Sequence, residues 1–336
     1  MDVIYYTHPV FYRHDTGNWH PERPARLEAA DRGVASAGLT VQRFEPPEAD
    51  MEALELVHAH EYIGAIRRFC STGGGALDPD TVAGPDSWEA ALRAAGAGLA
   101  AIRVLSADPD ATAFLAVRPP GHHALSNRAM GFCLFNNVGV AAAKLISEGF
   151  RVAVVDWDVH HGNGTQQIFW SDPNALYLSI HQYPFYPGGG ALDEVGEGEG
   201  EGTIVNVPMP AGTAGDVYGS VFERIFLPVL SQFDPDWILI SAGYDAHESD
   251  PLAEQRLLAP DYASMAAGLT HIVPPNRIIS FLEGGYHLPA ITTSVAASLQ
   301  GIAGTATPTA TRRSPTVSWE ALEEAAAHFA RFWQVM

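Results

Sequence analysis

The 336-residue chain is 47% hydrophobic and 17% charged, with a formal net charge of −20, a composition that suits one large α/β domain or two ordinary ones. So negative a charge argues against partners such as nucleic acid or an anionic membrane, and either favours cationic small molecules or basic peptides or serves solubility alone. Only Cys70 and Cys133 occur, too few for a disulfide framework or a cysteine-ligated zinc, so a metal here would be held by histidines and carboxylates.

The N-terminal residues Met1–Tyr6 carry no basic region ahead of an apolar run, and no stretch of eighteen apolar residues is seen, which sets the expectation of a cytoplasmic protein. Asp2 to Tyr6 reads as a first strand. A loop follows to Pro24, carrying His8, His14 and His20-Pro-Glu-Arg-Pro24; loops of this length are usually functional or loosely ordered. Pro24 then opens an amphipathic helix through Leu27, Ala30, Val34 and Ala37, closed by Gly38. A short strand at 40–44, helical segments at 51–58 and 61–70, a glycine-rich loop at 73–80 and a long Ala-rich helix at 87–106 come next.

From residue 112 the pattern becomes regular. Strands are predicted at 112–117, 151–155, 175–181, 204–207, 237–241 and 278–282. Helices fall at 136–148, 163–170, 214–232, 261–273 and 288–301. Alternation of this kind predicts an α/β fold, with a mostly parallel multi-stranded sheet and helices on both faces. Residues 1–304 read as one domain, 305–317 as a Thr/Pro/Arg linker, and 318–336 as a C-terminal helix packing back on the same domain.

The chain is organised around Arg151-Val-Ala-Val-Val-Asp-Trp-Asp-Val-His-His-Gly-Asn-Gly164. Its apolar run is a strand buried on both faces, and polar chemistry begins where that strand stops. Asp156 and Asp158 point the same way on an extended backbone, and His160 continues that face. Such an Asp-x-His pair is half of a divalent-metal site, or else a cap for the next helix.

Other strand ends decide between these readings, because ligands in open α/β sheets bind beyond the carboxyl ends of strands. His122 and His123 follow one strand, Gly243-Tyr-Asp245 another, and Glu283-Gly-Gly-Tyr286 a third. Asp158, His160 and Asp245 would make a three-ligand site with an open position, the pattern of a catalytic zinc. His122 and His123 are placed to act as bases, Asp156 to orient one imidazole and Asn163 the other, and Tyr286 to donate to a developing oxyanion. Taken singly, the His pair could be a satisfied loop and Tyr286 a core aromatic; their joint appearance at strand ends favours chemistry.

Pro119-Pro-Gly-His-His123, Gly131-Phe-Cys133, Asn136-Asn137, the 156–164 stretch, Ser179-Ile-His181, Gly243-Tyr-Asp245, Asp250-Pro-Leu252 and Glu283-Gly-Gly-Tyr286 together resemble the zinc-dependent histone deacetylases. The form of the motifs is similar to class II enzymes and their bacterial relatives, including acetylpolyamine amidohydrolases and acetoin-utilisation deacetylases. The resemblance spans nearly the whole chain to about Gly301. It implies the arginase/deacetylase fold, one Zn2+ on Asp158, His160 and Asp245, and hydrolysis of an acyl-amide, with acyl-lysine in proteins or peptides as substrate and acetylated small amines as the alternative.

By the same resemblance, His123 is the general base and then the acid, His122 gives electrostatic help with Asp156 behind it, and Tyr286 polarises the carbonyl. Phe132 and Tyr186 match the aromatic walls of an acyl-lysine tunnel, with Gly131 and Leu252 beside them. Asp80, or Asp78, matches a rim aspartate that holds substrate amides. Arg23 matches an arginine beneath the zinc on the acetate route. Asp156, Asp158, His160, Ser179 and Ile180 match a structural K+ site, and Phe169, Asp172 and Ala175 a second one. Gly162 and His247 stand where related arginases carry further aspartates, which argues against a two-manganese cluster. Leu252 stands where a polyamine-specific relative has glutamate, which favours acyl-lysine. The acidic segment 188–202 reads as flexible, either a solvated loop or an attractor for a cationic substrate, and a third possibility for the function is an acyl-lysine binding module without turnover.

Overall fold

In the computed structural model, residues 1–307 and 311–336 are described; the linker expected at 305–317 lies in part outside them. Short runs rich in Val, Ile, Leu and Ala form the strands, bounded by loops rich in Gly, Pro and Asp. In chain order these are β1 (Asp2–Tyr6), β2 (Thr40–Phe44), β3 (Gly75–Ala76), β4 (Val82–Ala83), β5 (Ala111–Leu115), β6 (Val152–Asp156), β7 (Ala175–Gln182), β8 (Ile204–Met209), β9 (Trp237–Ala242) and β10 (Ile278–Leu282). Strands β3 and β4 pair as a small antiparallel ladder. The other eight form one sheet in the order β2-β1-β5-β10-β9-β6-β7-β8, with every neighbouring pair parallel.

Every residue of β5, β6, β7, β9 and β10 is buried. A strand hidden on both faces needs cover on both. Two groups of helices supply it: Ser87–Ala107 packs with Asn137–Ser147, while Ala25–Ser36, Leu288–Ile302 and Ala259–Leu269 pack together. Ser87–Ala107 is long and apolar enough to cross a membrane, with a mean hydropathy of 1.3, but 67% of that window is buried inside the protein. It is a core helix here.

Strand β2, at one edge, is short and mostly solvent-facing, as a free edge should be. At the other edge, β8 is covered by the C-terminal helix Thr316–Phe329, which buries Leu322, Ala325 and Phe329. Ser318 Oγ shares a 2.7 Å hydrogen bond with Thr213 Oγ1, and Arg312 makes two 3.0 Å bonds to the Glu248 carboxylate.

Two expectations change. The helix predicted over 214–232 is a helix at Gly215–Val221, a wider π turn at Phe222–Phe226 and a further helix at Leu227–Phe233. Pro228 has no N–H to give the Arg224 carbonyl one turn back, and that carbonyl instead accepts from the Met336 N–H at 3.0 Å. The acidic segment 188–202 is tied down rather than loose. The Glu194 carboxylate accepts from the N–H groups of Gly190 and Ala191 at 3.1 and 3.2 Å, and the Gly202 N–H reaches the Val195 carbonyl at 2.7 Å.

Candidate active site

The strands β5, β10, β9 and β6 are consecutive in the sheet, and they are the four whose carboxyl ends lead into the predicted chemistry. Parallel strands discharge their following loops on one edge, so residues far apart in sequence meet there.

Asp158, His160 and Asp245 bring one donor atom each to within 4.8 Å of one another. His160 Nδ1 is 3.2 Å from Asp158 Oδ1 and 3.1 Å from Asp245 Oδ2. Both acids are fully buried and aimed by backbone donors: Gly284 N–H to Asp158 Oδ2 at 2.7 Å, and Val159 N–H to Asp245 Oδ1 at 2.9 Å. At Gly284 a side chain would place Cβ 2.1 Å from the Asp245 carboxylate, so only glycine lets that donor approach. Burial works against charge on His160, yet its hydrogen bonds to Asp158 and Asp245 push it up to about 10. Two carboxylates around one imidazole, in a site that raises the affinity for positive charge, suit a divalent cation with mixed N and O donors.

The His pair sits on the turn after β5. His122 Nδ1 lies 3.1 Å from Asp156 Oδ2, and the same carboxylate accepts from Tyr177 OH at 3.1 Å and Asp158 N–H at 3.1 Å. His123 Nδ1 lies 2.8 Å from Asn163 Oδ1, and the two imidazole centroids are 4.0 Å apart. Burial would lower His122, but the Asp158 and Asp156 carboxylates outweigh it and push it up to about 10. Burial, with positive charge on His122 and His160, holds His123 well below its usual range. The pair therefore divides into a charged and a neutral ring. A neutral His123 that donates from Nδ1 to Asn163 keeps its lone pair on Nε2, ready to take a proton.

The turn is held from several sides. The N–H groups of Gly121 and His122 both donate to Glu283 Oε2, at 2.7 and 3.2 Å, and burial raises that carboxyl to about 7. Asn136 caps the helix Asn137–Ser147 through the Gly139 N–H at 2.8 Å, and its amide donates to the Ala124 carbonyl and Thr165 Oγ1. Asn137 donates to the Pro119 carbonyl at 3.0 Å.

A narrow cavity of about 90 Å³ is lined by His123, His160 and Tyr286 at the base and by Gly131, Phe132, Tyr186, Leu252 and Asp80 around them. Gly131 has φ +58°, and a Cβ there would fall 2.3 Å from the His123 ring. Phe132 is itself left-handed at φ 69°, an uncommon state for a bulky residue. Its N–H is held by Thr81 Oγ1 at 3.1 Å, and its ring meets Tyr286 edge-on at 6.0 Å. Of the two rim aspartates, Asp80 lines the cavity, whereas Asp78 Oδ1 is spent on the N–H groups of Asp80 and Thr81 at 3.0 and 2.6 Å.

Tyr286 stays protonated, because burial raises its hydroxyl well above the usual value. Its backbone is fixed by Asp250, whose Oδ2 accepts from the N–H groups of Tyr286 and His287 at 2.6 and 3.1 Å while Oδ1 accepts from Leu252 at 3.0 Å. Burial pushes the Asp250 carboxyl up to about 6. Sequence reading noted Asp250 and Glu283 only as parts of motifs; an acid whose work is to receive backbone N–H groups from another loop has no local signature.

The arginine beneath the site is a correction. Arg23 is exposed, because it precedes the helix that Pro24 starts. Arg26 is buried instead. It donates to the carbonyls of Gly285, at 2.6 Å, and Glu283, and its guanidinium lies 5.1 Å from the centre of the Tyr286 ring. Glu22 balances it at 3.1 Å and also receives two bonds from buried Arg118. Helical spacing was the available signal, since Arg26, Ala30 and Gly33 share one face of Ala25–Ser36 and all are buried. Of the five residues expected around potassium, Asp156 and Ser179 are register partners across β6 and β7; Ser179 Oγ is taken by His181 Nδ1 at 2.9 Å.

Residues 20–302 match the family model described as the histone deacetylase domain. An uncharacterized protein of Synechocystis sp. is 42% identical over 297 residues, covering 86% of this chain and 96% of that one. A probable deacetylase of Archaeoglobus fulgidus is 37% identical over 306 residues, covering 88% and 85%. The crystal structure of the HDA15 HD domain superposes with a TM-score of 0.91 at 34% identity, covering 99% of this chain and 95% of that one.

Proposed function

Given that this chain belongs to the histone deacetylase family and is a hydrolase acting on amides, we propose that it removes acetyl or a similar short acyl group from the side-chain nitrogen of lysine in peptides or proteins. The observation that carries this reading is the His pair, one ring against the Asp156 carboxylate and the other against the Asn163 amide, beside a His/Asp/Asp cluster at a narrow cavity walled by aromatic rings. Flat rings suit a methylene stem, and Phe132 and Tyr186 supply them.

Zn2+ is the cofactor of this reading, and Asp158, His160 and Asp245 fit it by donor type and spacing. Held there, it would supply Lewis acidity toward the acyl carbonyl and make water a better nucleophile at neutral pH. The remaining work falls to the chain. His123 Nε2 takes a proton as water adds to the carbonyl carbon, and Asn163 fixes the ring in the tautomer that allows it. Charged His122, braced by Asp156, favours the negative charge that builds on the former carbonyl oxygen. The Tyr286 hydroxyl donates to that oxygen. When the C–N bond breaks, His123 returns its proton to the departing amine, leaving a carboxylate and a free lysine side chain. Arg26 lies under Tyr286, where a carboxylate product would meet a cation. A K+ ion on Asp156, Asp158, His160, Ser179 and Ile180 belongs to the same reading, supported by the side-by-side register of Asp156 and Ser179.

Turnover of acetyl-lysine peptides, with and without chelator, tests the proposal. Activity that vanishes on chelation and returns with zinc is expected. Activity that survives metal removal would overturn the mechanism, and a kcat/KM for acetylputrescine or acetylspermidine far above that for peptides would transfer the assignment to small amines.

A further inference from the structure

Resting on the deacylase reading above, we infer that His58 is a positioning residue of the reaction: its imidazole closes the base of the loop that leaves His123, and so sets where the His123 ring stands. His58 lies in the bend between the helices Met51–Glu55 and His60–Ser71 and is 2% exposed. The Asn136 N–H donates to its Nε2 at 2.9 Å, and its Nδ1 is 3.0 Å from the Leu125 carbonyl. An N–H can only donate, so Nε2 carries the lone pair and the ring proton sits on Nδ1, aimed at that carbonyl. Both nitrogens are thus spent, and one tautomer alone satisfies them. A second proton would set Nε2–H against the Asn136 N–H, and burial pushes the ring down to about 4, so the bridge holds through the neutral range.

Leu125 and Asn136 are the two ends of one loop. It begins two residues after His123, carries Gly131 and Phe132 on the cavity wall and returns at Asn136 to the helix Asn137–Ser147. One imidazole therefore joins its start to its finish. The neighbouring Ala59 N–H adds a 2.8 Å bond to the Ser126 carbonyl, and the Asn136 amide reaches the Ala124 carbonyl at 3.3 Å. Three consecutive carbonyls after His123, those of Ala124, Leu125 and Ser126, are in this way held by Asn136, His58 and Ala59. Phe132 has its own tie, from Thr81, so loss of His58 is felt at the His123 end of the loop. A histidine kept only to fill space would need no such pair of partners. Its ring packs on Tyr62 and Phe135, with centroids 5.5 and 5.2 Å apart, and a phenyl ring would fill the same place.

That difference is the test. His58→Phe keeps a ring and removes both bonds, while His58→Gln offers one acceptor and one donor in a single amide. Tyr62→Phe removes the hydroxyl bonded to the Leu134 carbonyl and loosens the same patch without touching the three carbonyls. With zinc-loaded enzymes on an acetyl-lysine peptide, at a temperature where all are folded, His58→Phe is expected to lower kcat at least about tenfold, as a misplaced base does, with KM within about threefold of wild type and zinc still stoichiometric. His58→Gln should recover most of that loss, and Tyr62→Phe should lower the unfolding midpoint while kcat holds. Wild-type kcat in His58→Phe, an equal fall in Tyr62→Phe, or a loss that His58→Gln does not repair would overturn the inference. Nitrogen NMR of the histidine rings reads the same point without turnover. Wild-type His58 should show a protonated Nδ1 and a bare Nε2 from about pH 6 to pH 8, and the His123 ring signals should shift in His58→Phe but not in Tyr62→Phe. The opposite tautomer in the wild type refutes the bridge, including where His58→Phe fails to fold. If the zinc-loaded wild type turns over no acyl-amide, the deacylase reading itself has failed, and the hold of His58 on His123 is still judged by these signals.

Discussion

At the scale of single residues, the site works by giving like side chains unlike surroundings. Neighbouring imidazoles differ because Asp156 faces one and the neutral amide of Asn163 the other. The phenol of Tyr286 keeps its proton because it is buried, which makes it a donor and nothing else. Tyr286→Phe should thus lower kcat about 10²- to 10³-fold while KM changes little, the mark of a bond made in the transition state; steady-state kinetics on an acetyl-lysine peptide reads both. The two arginines give a contrast of the same kind. Arg26→Ala strips Glu22 of one partner and leaves the Gly285 and Glu283 carbonyls unpaired in the interior, a loss of about 3 kcal/mol in denaturant unfolding. Arg23→Ala, at an exposed position, should stay within about 0.5 kcal/mol of wild type.

At the scale of elements, a helix start and the turn that carries the His pair share one side chain. Asn136 caps Asn137–Ser147 and at the same time holds the Ala124 carbonyl, next to His123. Asp50 caps Met51–Glu55 through the Ala53 N–H at 2.8 Å, away from the chemistry. Asn136→Ala and Asp50→Ala should each destabilise the fold by about 1–2 kcal/mol as lost caps, read as a lower unfolding midpoint. Only Asn136→Ala should also lower kcat. Element positions were largely legible beforehand, because apolar runs ending in polar turns mark buried strands. The π turn inside the helix over 214–232 was not, since the Arg224 carbonyl, which Pro228 cannot serve, is taken by Met336, a partner more than a hundred residues away.

At the scale of the whole molecule, the centre is assembled from four loops, and the metal is expected to bind the folded chain far better than the unfolded one. Zinc at about one hundred times its dissociation constant should then add about 2.7 kcal/mol of stability, seen as a rise in unfolding temperature that chelation reverses. Asp245→Ala should lose both that rise and stoichiometric zinc in elemental analysis, because two remaining donors hold the ion weakly. Sequence alone determined the chemistry on offer: the parallel α/β class, the donors Asp158, His160 and Asp245, the His pair and Tyr286. These are local facts, since residue type and strand periodicity are carried by a few neighbouring positions. What tertiary structure decided was adjacency. The order β5-β10-β9-β6 puts four strand ends side by side, Arg26 rather than Arg23 under Tyr286, Asp80 rather than Asp78 at the tunnel, and Asp250 beneath the tyrosine loop. Each of those contacts joins loops from distant parts of the chain, and no spacing along a sequence measures the distance across a sheet.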